Sequence, residues 1–383
     1  MTRPALSGPL APALPSLNEK LTERDQETLA HLLRSGIGEN TLRAVRSDLA
    51  YLEAWSHACT GDALPWPPTE EIALRFIAHH LWDPDRKVAD PDHGMPEDVR
   101  AVLKEIGQLR VDGPHAPATV ERRIASWRSL CRWRGCDHPF SSPAVTRTLR
   151  AAIRASARPR HRKSRKPVEL DLLEELLDHL DLRCSSVPDD AAEVEAIRLH
   201  ALRDRALLAV MFASGGRRRS EIAGLQAGQI ELLDPIVTAD PAWPQGLPSA
   251  AISLGRTKTT DAGDGSTVFI SGRVVRALEA WRRELPHERG PIFPSISRWG
   301  VIAEKPMTGA AVNAILKKRL KEIGLDPKDY SAHGIRAGYI TSTLKAGIPA
   351  PEIMEQTKHR SLETLMGYFK DEQQRQSRAA RML

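Results

Sequence analysis

Residues 214–222 read SGGRRRSEI, a stretch in which two glycines precede three arginines. Glycine just after the last turn of a helix is a common way to turn the chain. Arginines beside the start of the next helix bring charge and backbone amides to one place, which suits an anion. The stretch therefore predicts a corner between two helices, whose arginines either bind an anion or remain solvated. Taken alone, it favours the solvated turn.

Further along the chain, three more segments carry chemically useful side chains. Lys258 lies on the tip side of a predicted hairpin, where a lysine is normally just exposed, although it suits a donor that enters a DNA groove. His333 and Arg336 fall on one face of a helix. His359 is followed nine residues later by Tyr368. These segments are GRTKTTDAG at 255–263, SAHGIRAG at 331–338 and KHRSLETLMGYF at 358–369.

The ordered set Arg, Lys, His-x-x-Arg, His, Tyr resembles the signature of the tyrosine recombinase (phage integrase) family. The family pattern T-G-x-R-x-[SG]-E is matched by Gly216, Arg218, Ser220 and Glu221. The chain most resembles the Cre-type recombinases. The features that it shares with them are the segment GRTKT, the run AGIPAPEIM at 346–354 and a helical first half that leads into a basic linker. The resemblance covers nearly the whole chain from about residue 20.

The sequence departs from the family pattern at three positions. Gly215 replaces the usual threonine of the first box, and Thr357 and Lys358 stand where the family usually has Leu-Gly before the last histidine. None of these departures removes a side chain that the family uses in catalysis.

The resemblance implies a DNA strand transferase that works through a 3′-phosphotyrosyl intermediate, with Tyr368 as nucleophile. Arg218 and Arg336 would grip the phosphate as bidentate guanidiniums that stay charged at any working pH. His359 would donate a hydrogen bond to the same phosphate. The remaining implied roles are help in deprotonating the tyrosine for His333, general acid for Lys258 and support through hydrogen bonds for Glu221.

The implied chemistry needs no cofactor, metal or ATP, because the arginines supply the positive charge and the phosphotyrosine keeps the energy of the broken bond. Two alternatives stay open: DNA relaxation like that of a type IB topoisomerase, and a non-catalytic DNA-binding protein of the same fold. The resemblance also implies a homo-tetramer across two duplexes of double-stranded DNA, each with a specific inverted-repeat site. The last helix would then dock into a neighbouring subunit or pack back on its own domain.

Helical periodicity dominates both halves of the chain, which predicts a mostly α protein with a small antiparallel β-sheet in the second half. We expect a disordered tail at 1–19, a helical core-binding domain at 20–157, a basic linker at 158–167 and a catalytic domain at 168–383. Helices are predicted at 69–81, 97–109, 117–134, 143–156, 169–180, 195–214, 308–323, 334–346, 350–357 and 361–380, and a hairpin at 250–256 and 267–271.

Positive charge is concentrated in two regions of the chain. From Arg147 to Lys166 the charged residues are all basic, which suits either a strap along a phosphate backbone or a solubilising linker. The helix at 117–134 carries arginines beside Trp127 and Trp133, and it reads equally well as a DNA-facing helix or as a solvated cationic face. The predicted DNA-binding residues are Arg122, Arg123, Arg158, Arg160, Arg162, Lys163, Arg165 and Lys166.

Composition narrows the class of protein. A net charge of +6 and a pI near 9.2 lean towards a polyanionic partner. The four cysteines form no CxxC pair, and Cys131, Cys136 and His138 lack a fourth ligand for zinc, so a reducing compartment without a metal site is expected. The sequence shows no signal-peptide pattern and no apolar run of about 18 residues. We therefore expect a cytoplasmic, nucleoid-associated protein without a membrane segment.

Overall fold

The computed structural model describes residues 38–110, 112–156, 164–185, 191–255 and 267–367. The chain divides into two compact units between residues 161 and 162, inside the segment predicted to be a linker. Both units are mainly helical and the second contains a small antiparallel sheet, so the predicted fold class is confirmed. The predicted tail at 1–19 lies outside the described residues, as does the predicted last helix from residue 368 onward.

The first unit is a bundle of α-helices around an aromatic core. Trp55, Phe76 and Trp127 are fully buried, with ring centroids 5.0 Å apart for the first pair and 5.9 Å for the second, both edge to face. Such contacts add to the area that these rings bury. The helices are α1 (Glu39–Thr60), α2 (Glu70–His80), α3 (Pro84–Ala89), α4 (Glu97–Glu105), α5 (Pro117–Trp133) and α6 (Pro143–Ala155), with a 3₁₀ turn at Pro139–Ser141.

The second unit surrounds a larger core in which Trp281 and Phe293 are fully buried. Its helices are α7 (Leu170–Ser185), α8 (Ala191–Ala213), α9 (Arg219–Ala223), α10 (Arg273–Arg282), α11 (Gly309–Glu322), α12 (Ala332–Lys345), α13 (Ala350–Thr357) and α14 (Leu362–Met366). Its strands are β1 (Ile230–Ile236), β2 (Leu247–Ser253), β3 (Thr267–Ser271), β4 (Pro294–Ile296) and β5 (Ile302–Pro306).

The sheet of the second unit has the antiparallel order β1-β2-β3, with Ile252 opposite Ile230 on one side and Val268 on the other. The predicted hairpin is therefore present as β2 and β3. Strand β1, the β4–β5 pair and helix α10 were not predicted. The sequence of β1, IELLDPI, contains Asp234 and Pro235 and does not alternate between apolar and polar residues, so it lacks the period of two that marks a strand. In the structure, buried and exposed residues do not alternate along it either.

A segment at 164–168 lies along helix α12, and two glycines make room for it. Val168 donates its N–H to the Gly334 oxygen at 3.0 Å, and Ser331 donates its N–H to Ser164 Oγ at 3.1 Å. A Cβ on Gly338 would lie 1.6 Å from the Val168 oxygen. We call residues 164–168 the strap. It is fastened to the helix that carries His333 and Arg336.

Candidate active site

The corner between α8 and α9 is built from glycines because the chain passes too close to other backbone for a side chain. Gly215 and Gly216 have φ of +87° and +66°, which favours glycine. A Cβ on Gly216 would lie 2.3 Å from the Cα of Arg336, and one on Gly215 would lie 2.5 Å from the Gln356 oxygen. The corner therefore presses against α12 and the end of α13.

Arg336 ties this corner to the end of α13. Its Nη1 donates to the oxygens of Gly215 at 3.2 Å and Gly216 at 3.4 Å, and its Nη2 donates to the Thr357 oxygen at 2.7 Å. The half-buried guanidinium is thus held by carbonyls from two separate loops. These bonds fix where its charge lies without neutralising it.

His359 lies directly beside Arg336, with its Nε2 3.1 Å from Arg336 Nη2. Burial, followed by the positive charges of Arg336, Arg217 and Arg218, lowers the pKa of His359 to about 4. The imidazole is therefore neutral at pH 7 in the DNA-free protein. Three guanidiniums act on it at once, so a negative charge arriving here would be stabilised.

Arg218 is held by two hydrogen bonds to Glu221. Glu221 Oε2 accepts the Arg218 backbone N–H at 3.1 Å, and Oε1 accepts from Arg218 Nη1 at 2.5 Å. The Arg218 side chain is 46% exposed, so it is anchored at one end and open to solvent. An arginine held in this way is available to a phosphate.

Arg217 is a site residue that the motif did not single out. It is buried and donates from Nη2 to the Gln356 oxygen at 2.8 Å. Burial lowers its pKa to about 10, with Glu221 opposing and Arg336 adding to that shift. The signal was visible as three consecutive arginines, but only the packing shows that the first of them turns inward.

Three further predicted site residues are exposed in the second unit. His333 is exposed in the first turn of α12, one turn before Arg336. Arg165 and Lys166 of the strap are exposed, and Lys166 Nζ lies 3.1 Å from an Asp329 carboxylate oxygen. Tyr368, Lys258, Arg158, Arg160, Arg162 and Lys163 lie outside the described residues.

In the first unit, Arg122 and Arg123 differ in exposure. Arg122 is half exposed and donates to Asp48 Oδ2 at 2.7 Å. Arg123 is 11% exposed at its side chain and stacks over the ring of Tyr51, with its guanidinium carbon 3.2 Å from the ring centroid. Arg123 therefore has a packing role, which removes the reason for placing it on a DNA-facing surface.

Residues 190–375 match the model of the phage integrase family. The chain belongs to the tyrosine recombinase family. This recombinase is 28% identical over 283 residues to the integrase/recombinase XerD homolog of Selenomonas ruminantium, covering 72% of this chain and 74% of that protein. It is 27% identical over 171 residues to tyrosine recombinase XerD of Xanthomonas axonopodis pv. citri, covering 44% of this chain and 50% of that protein. Its predicted assignment to the Cre-type subgroup stays a prediction.

Solved recombinase structures resemble this tyrosine recombinase at low sequence identity. The XerH site-specific recombinase bound to its difH substrate is 16% identical with a TM-score of 0.41, covering 77% of this chain and 74% of that one. The Tn1549 transposon integrase in complex with transposon right end DNA is 14% identical with a TM-score of 0.49, covering 94% and 98%.

The described part of the recombinase contains no group of three or more His, Cys, Asp or Glu side chains arranged to hold a metal ion. Within the same residues, no helix combines the length and the apolar character needed to cross a bilayer.

Proposed function

We propose that this recombinase cleaves and rejoins double-stranded DNA at a specific site through a covalent bond between Tyr368 and a 3′-phosphate. The observation that carries the proposal is the convergence of Arg217, Arg218, Arg336 and His359 on one place in the second unit. Charged donors fixed before the substrate arrives are the arrangement that stabilises a phosphoryl transition state. The site is built for a phosphodiester.

The reaction balances without a further reactant. The Tyr368 oxygen attacks phosphorus and loses its proton, a 3′-phosphotyrosyl bond forms, and the bond to the 5′-oxygen breaks. Tyrosine has an unperturbed pKa near 10, so it needs a base to be nucleophilic near neutrality, and we assign that help to His333. Lys258 supplies the proton to the departing 5′-oxygen. Reversal by a 5′-hydroxyl of another strand exchanges strands without ATP.

In this scheme the arginines carry the electrostatic part of catalysis. Arg218 and Arg336 bind the non-bridging oxygens, and Glu221 orients Arg218. Their charge takes the place that a metal ion would otherwise have. Arg217, from its buried position, adds positive potential behind them.

The assembly around this chemistry is part of the same proposal. We propose a homo-tetramer that joins two duplexes, each with an inverted-repeat target, in a cytoplasmic protein that associates with the nucleoid. The basic residues from 158 to 166 would contact the phosphate backbone, and each contact that displaces a counterion adds salt-dependent affinity. Arg122 is the candidate from α5, because half of its side chain is exposed.

The experiment is covalent capture on DNA. Wild-type protein and Tyr368→Phe are incubated with nicked, sheared DNA from the source genome and its mobile elements, stripped with detergent, and the attached DNA is sequenced. We expect wild type alone to enrich one inverted-repeat site. Attachment without site preference would favour the topoisomerase alternative, and covalent attachment by Tyr368→Phe would overturn the assignment of the nucleophile.

A second experiment separates the roles of Lys258. Lys258→Ala should slow cleavage of ordinary DNA, whereas a substrate with a 5′-thio leaving group, which needs little protonation, should restore the rate. Failure of the thio substrate to rescue would leave Lys258 as a DNA-binding residue.

A further inference from the structure

Thr357, the last residue of α13, holds a hydrogen-bonding position in which the family pattern has leucine. It is 1% exposed, and its Oγ1 lies 2.6 Å from the Ile353 oxygen and 2.7 Å from His359 Nδ1. A leucine side chain has no group that bonds to either atom. The departure at this position therefore adds a contact to the catalytic histidine.

The direction of these two bonds follows from counting protons. A threonine hydroxyl has one proton, and the Ile353 carbonyl can only accept, so the hydroxyl donates to Ile353. Thr357 Oγ1 then faces His359 Nδ1 with a lone pair. The 2.7 Å contact is a hydrogen bond only if Nδ1 carries the proton and donates it to Thr357.

Arg336 lies over the face of the same ring and does not bear on the choice of tautomer. Its Nη2 is 3.1 Å from His359 Nε2 and 3.4 Å from Nδ1. Because the two nitrogens flank one ring carbon, a donor nearly equidistant from both is above the ring and not in line with the lone pair of either. The contact with Thr357 is therefore the one that favours a tautomer.

The backbone makes the contact between Thr357 and His359 possible. Lys358, between them, has φ of +55° and ψ of 42°, the left-handed conformation of a helix C-terminus. This turn brings His359 back over the end of α13, and its N–H donates to the Met354 oxygen at 3.1 Å. Lys358 stands where the family usually has glycine, and its left-handed φ shows why a glycine suits this place.

We propose that Thr357 is a positioning residue that selects the tautomer of His359 with the proton on Nδ1 and orients the ring through that nitrogen. The catalytic part of this inference rests on the proposed function. It has a definite consequence: neutral His359 presents an acceptor towards the phosphate, so His359 donates to a phosphate oxygen only after a proton has joined Nε2. Binding of DNA must therefore be accompanied by protonation of His359 at Nε2.

The test of the tautomer needs no DNA. Full-length protein with ¹⁵N-histidine is measured at pH 7, where His359 is neutral, and His359→Gln identifies its signals. We expect the nitrogen shifts of His359 to report a protonated Nδ1 in wild type and in Thr357→Ser. In Thr357→Val, which keeps the shape and loses the hydroxyl, we expect protonated Nε2 to predominate.

A matched control guards against a general effect of losing a buried hydroxyl. Thr343→Val removes a hydroxyl of α12 that bonds to the Tyr339 oxygen at 2.9 Å, and it should leave the His359 signals unchanged. Protonated Nδ1 persisting in Thr357→Val, or protonated Nε2 predominating in wild type, would overturn the tautomer assignment.

Cleavage of a nicked target site tests the positioning role separately. The form of His359 that donates to phosphate is the doubly protonated ring, whose Nδ1–H still requires Thr357 Oγ1 as its acceptor. Thr357→Val removes that acceptor, so we expect the rate constant of cleavage to fall by about 10-fold with DNA affinity unchanged, and Thr357→Ser to stay near wild type. A tautomer change without a change in rate would overturn the positioning role. Absence of cleavage in wild type itself would count against the proposed function and leave the tautomer measurement standing.

Discussion

Each unit of this recombinase contains a compact cluster of arginine and histidine, and the two clusters balance their charge differently. The first-unit cluster comprises Asp48, Tyr51, His80, Arg122 and Arg123. The second-unit cluster, the candidate active site, comprises Arg217, Arg218, Arg336 and His359. In the first-unit cluster, Asp48 is 1% exposed and lies between both arginines, while Arg123 stacks on Tyr51.

In the second-unit cluster, Arg218 pairs with Glu221, but Arg217 donates to a neutral backbone carbonyl, and burial lowers its pKa to about 10. A carbonyl satisfies a donor without compensating its charge. The first-unit cluster therefore stabilises the fold by internal pairing, whereas the second-unit cluster keeps positive charge available to an anion. The difference lies in the partners of the buried arginines: Arg123 is close to a carboxylate, and Arg217 donates to a backbone carbonyl.

The largest expected effect is on cleavage. Arg218→Lys keeps the charge and loses the fork that binds two oxygens, so we expect the cleavage rate to fall by about 10²- to 10³-fold with little change in melting temperature. The neighbouring Arg219→Lys is the control, because Arg219 is also exposed and is not among the arginines whose charge acts on His359. Equal losses in both variants would show that the site responds to charge in general rather than to Arg218.

The second-largest effect is expected on the stability of the protein, from a change in the first-unit cluster. Asp48→Ala leaves Arg122, Arg123 and Ser126 without the carboxylate they share, and we expect a loss of about 3 kcal/mol in the free energy of unfolding. Urea unfolding of the full chain measures it, with Asp48→Asn as the milder control. A variant as stable as wild type would mean that the cation–π contact of Arg123 suffices to hold this cluster.

A smaller effect is expected on the pH dependence of folding. Burial lowers the pKa of His79 to about 4 and that of His80 well below its usual value. As the pH falls, these histidines are protonated at a higher pH in the unfolded chain than in the folded one. The free energy of unfolding should therefore be at its full value above about pH 6.5 and decrease as the pH drops towards 4. Urea unfolding at several pH values tests this, and His79→Gln should make the fall shallower. A fall of equal steepness in that variant would exclude His79 as a source.

The smallest effect concerns surface charge. Lys166 pairs with Asp329 in an exposed position, where an ion pair contributes little, so Lys166 should exchange this partner for DNA phosphate. Lys166→Gln should reduce the slope of log affinity against log salt by about 1, uniformly across DNA sequences. Arg123→Gln should leave the slope unchanged, because that arginine is buried on Tyr51.

The short-range parts of this structure were predictable from the sequence. The helical pattern and the hairpin follow from periodicity, and the motif spacing singled out Arg218, Arg336 and His359 before their proximity was known. Their catalytic roles stay predictions, as do those of Tyr368 and Lys258. Helix α14 ends at Met366, well before the end of the helix predicted at 361–380, whose remainder from 368 lies outside the described residues.

Two features of the site could not be predicted from the sequence, because they depend on contacts between residues that hydrophobic periodicity does not encode. The bond from His359 to Thr357 needs the left-handed turn at Lys358, and the inward direction of Arg217 depends on packing against α13. The departure from the family pattern at Thr357 and Lys358 was visible in the sequence, as was the run of three arginines that begins at Arg217. They marked where the local chemistry differs, but the hydrogen bonds were needed to say how.

The strap has a consequence for how this chain tolerates changes in its length. Ser164 and Val168 are each bonded to a fixed position on α12, and Gly338 leaves no space for slippage between them. An inserted or deleted residue between 164 and 168 would break this register and shift the helix that carries His333 and Arg336. Length variation in the linker is therefore expected before residue 164, where such a change need not disturb helix α12.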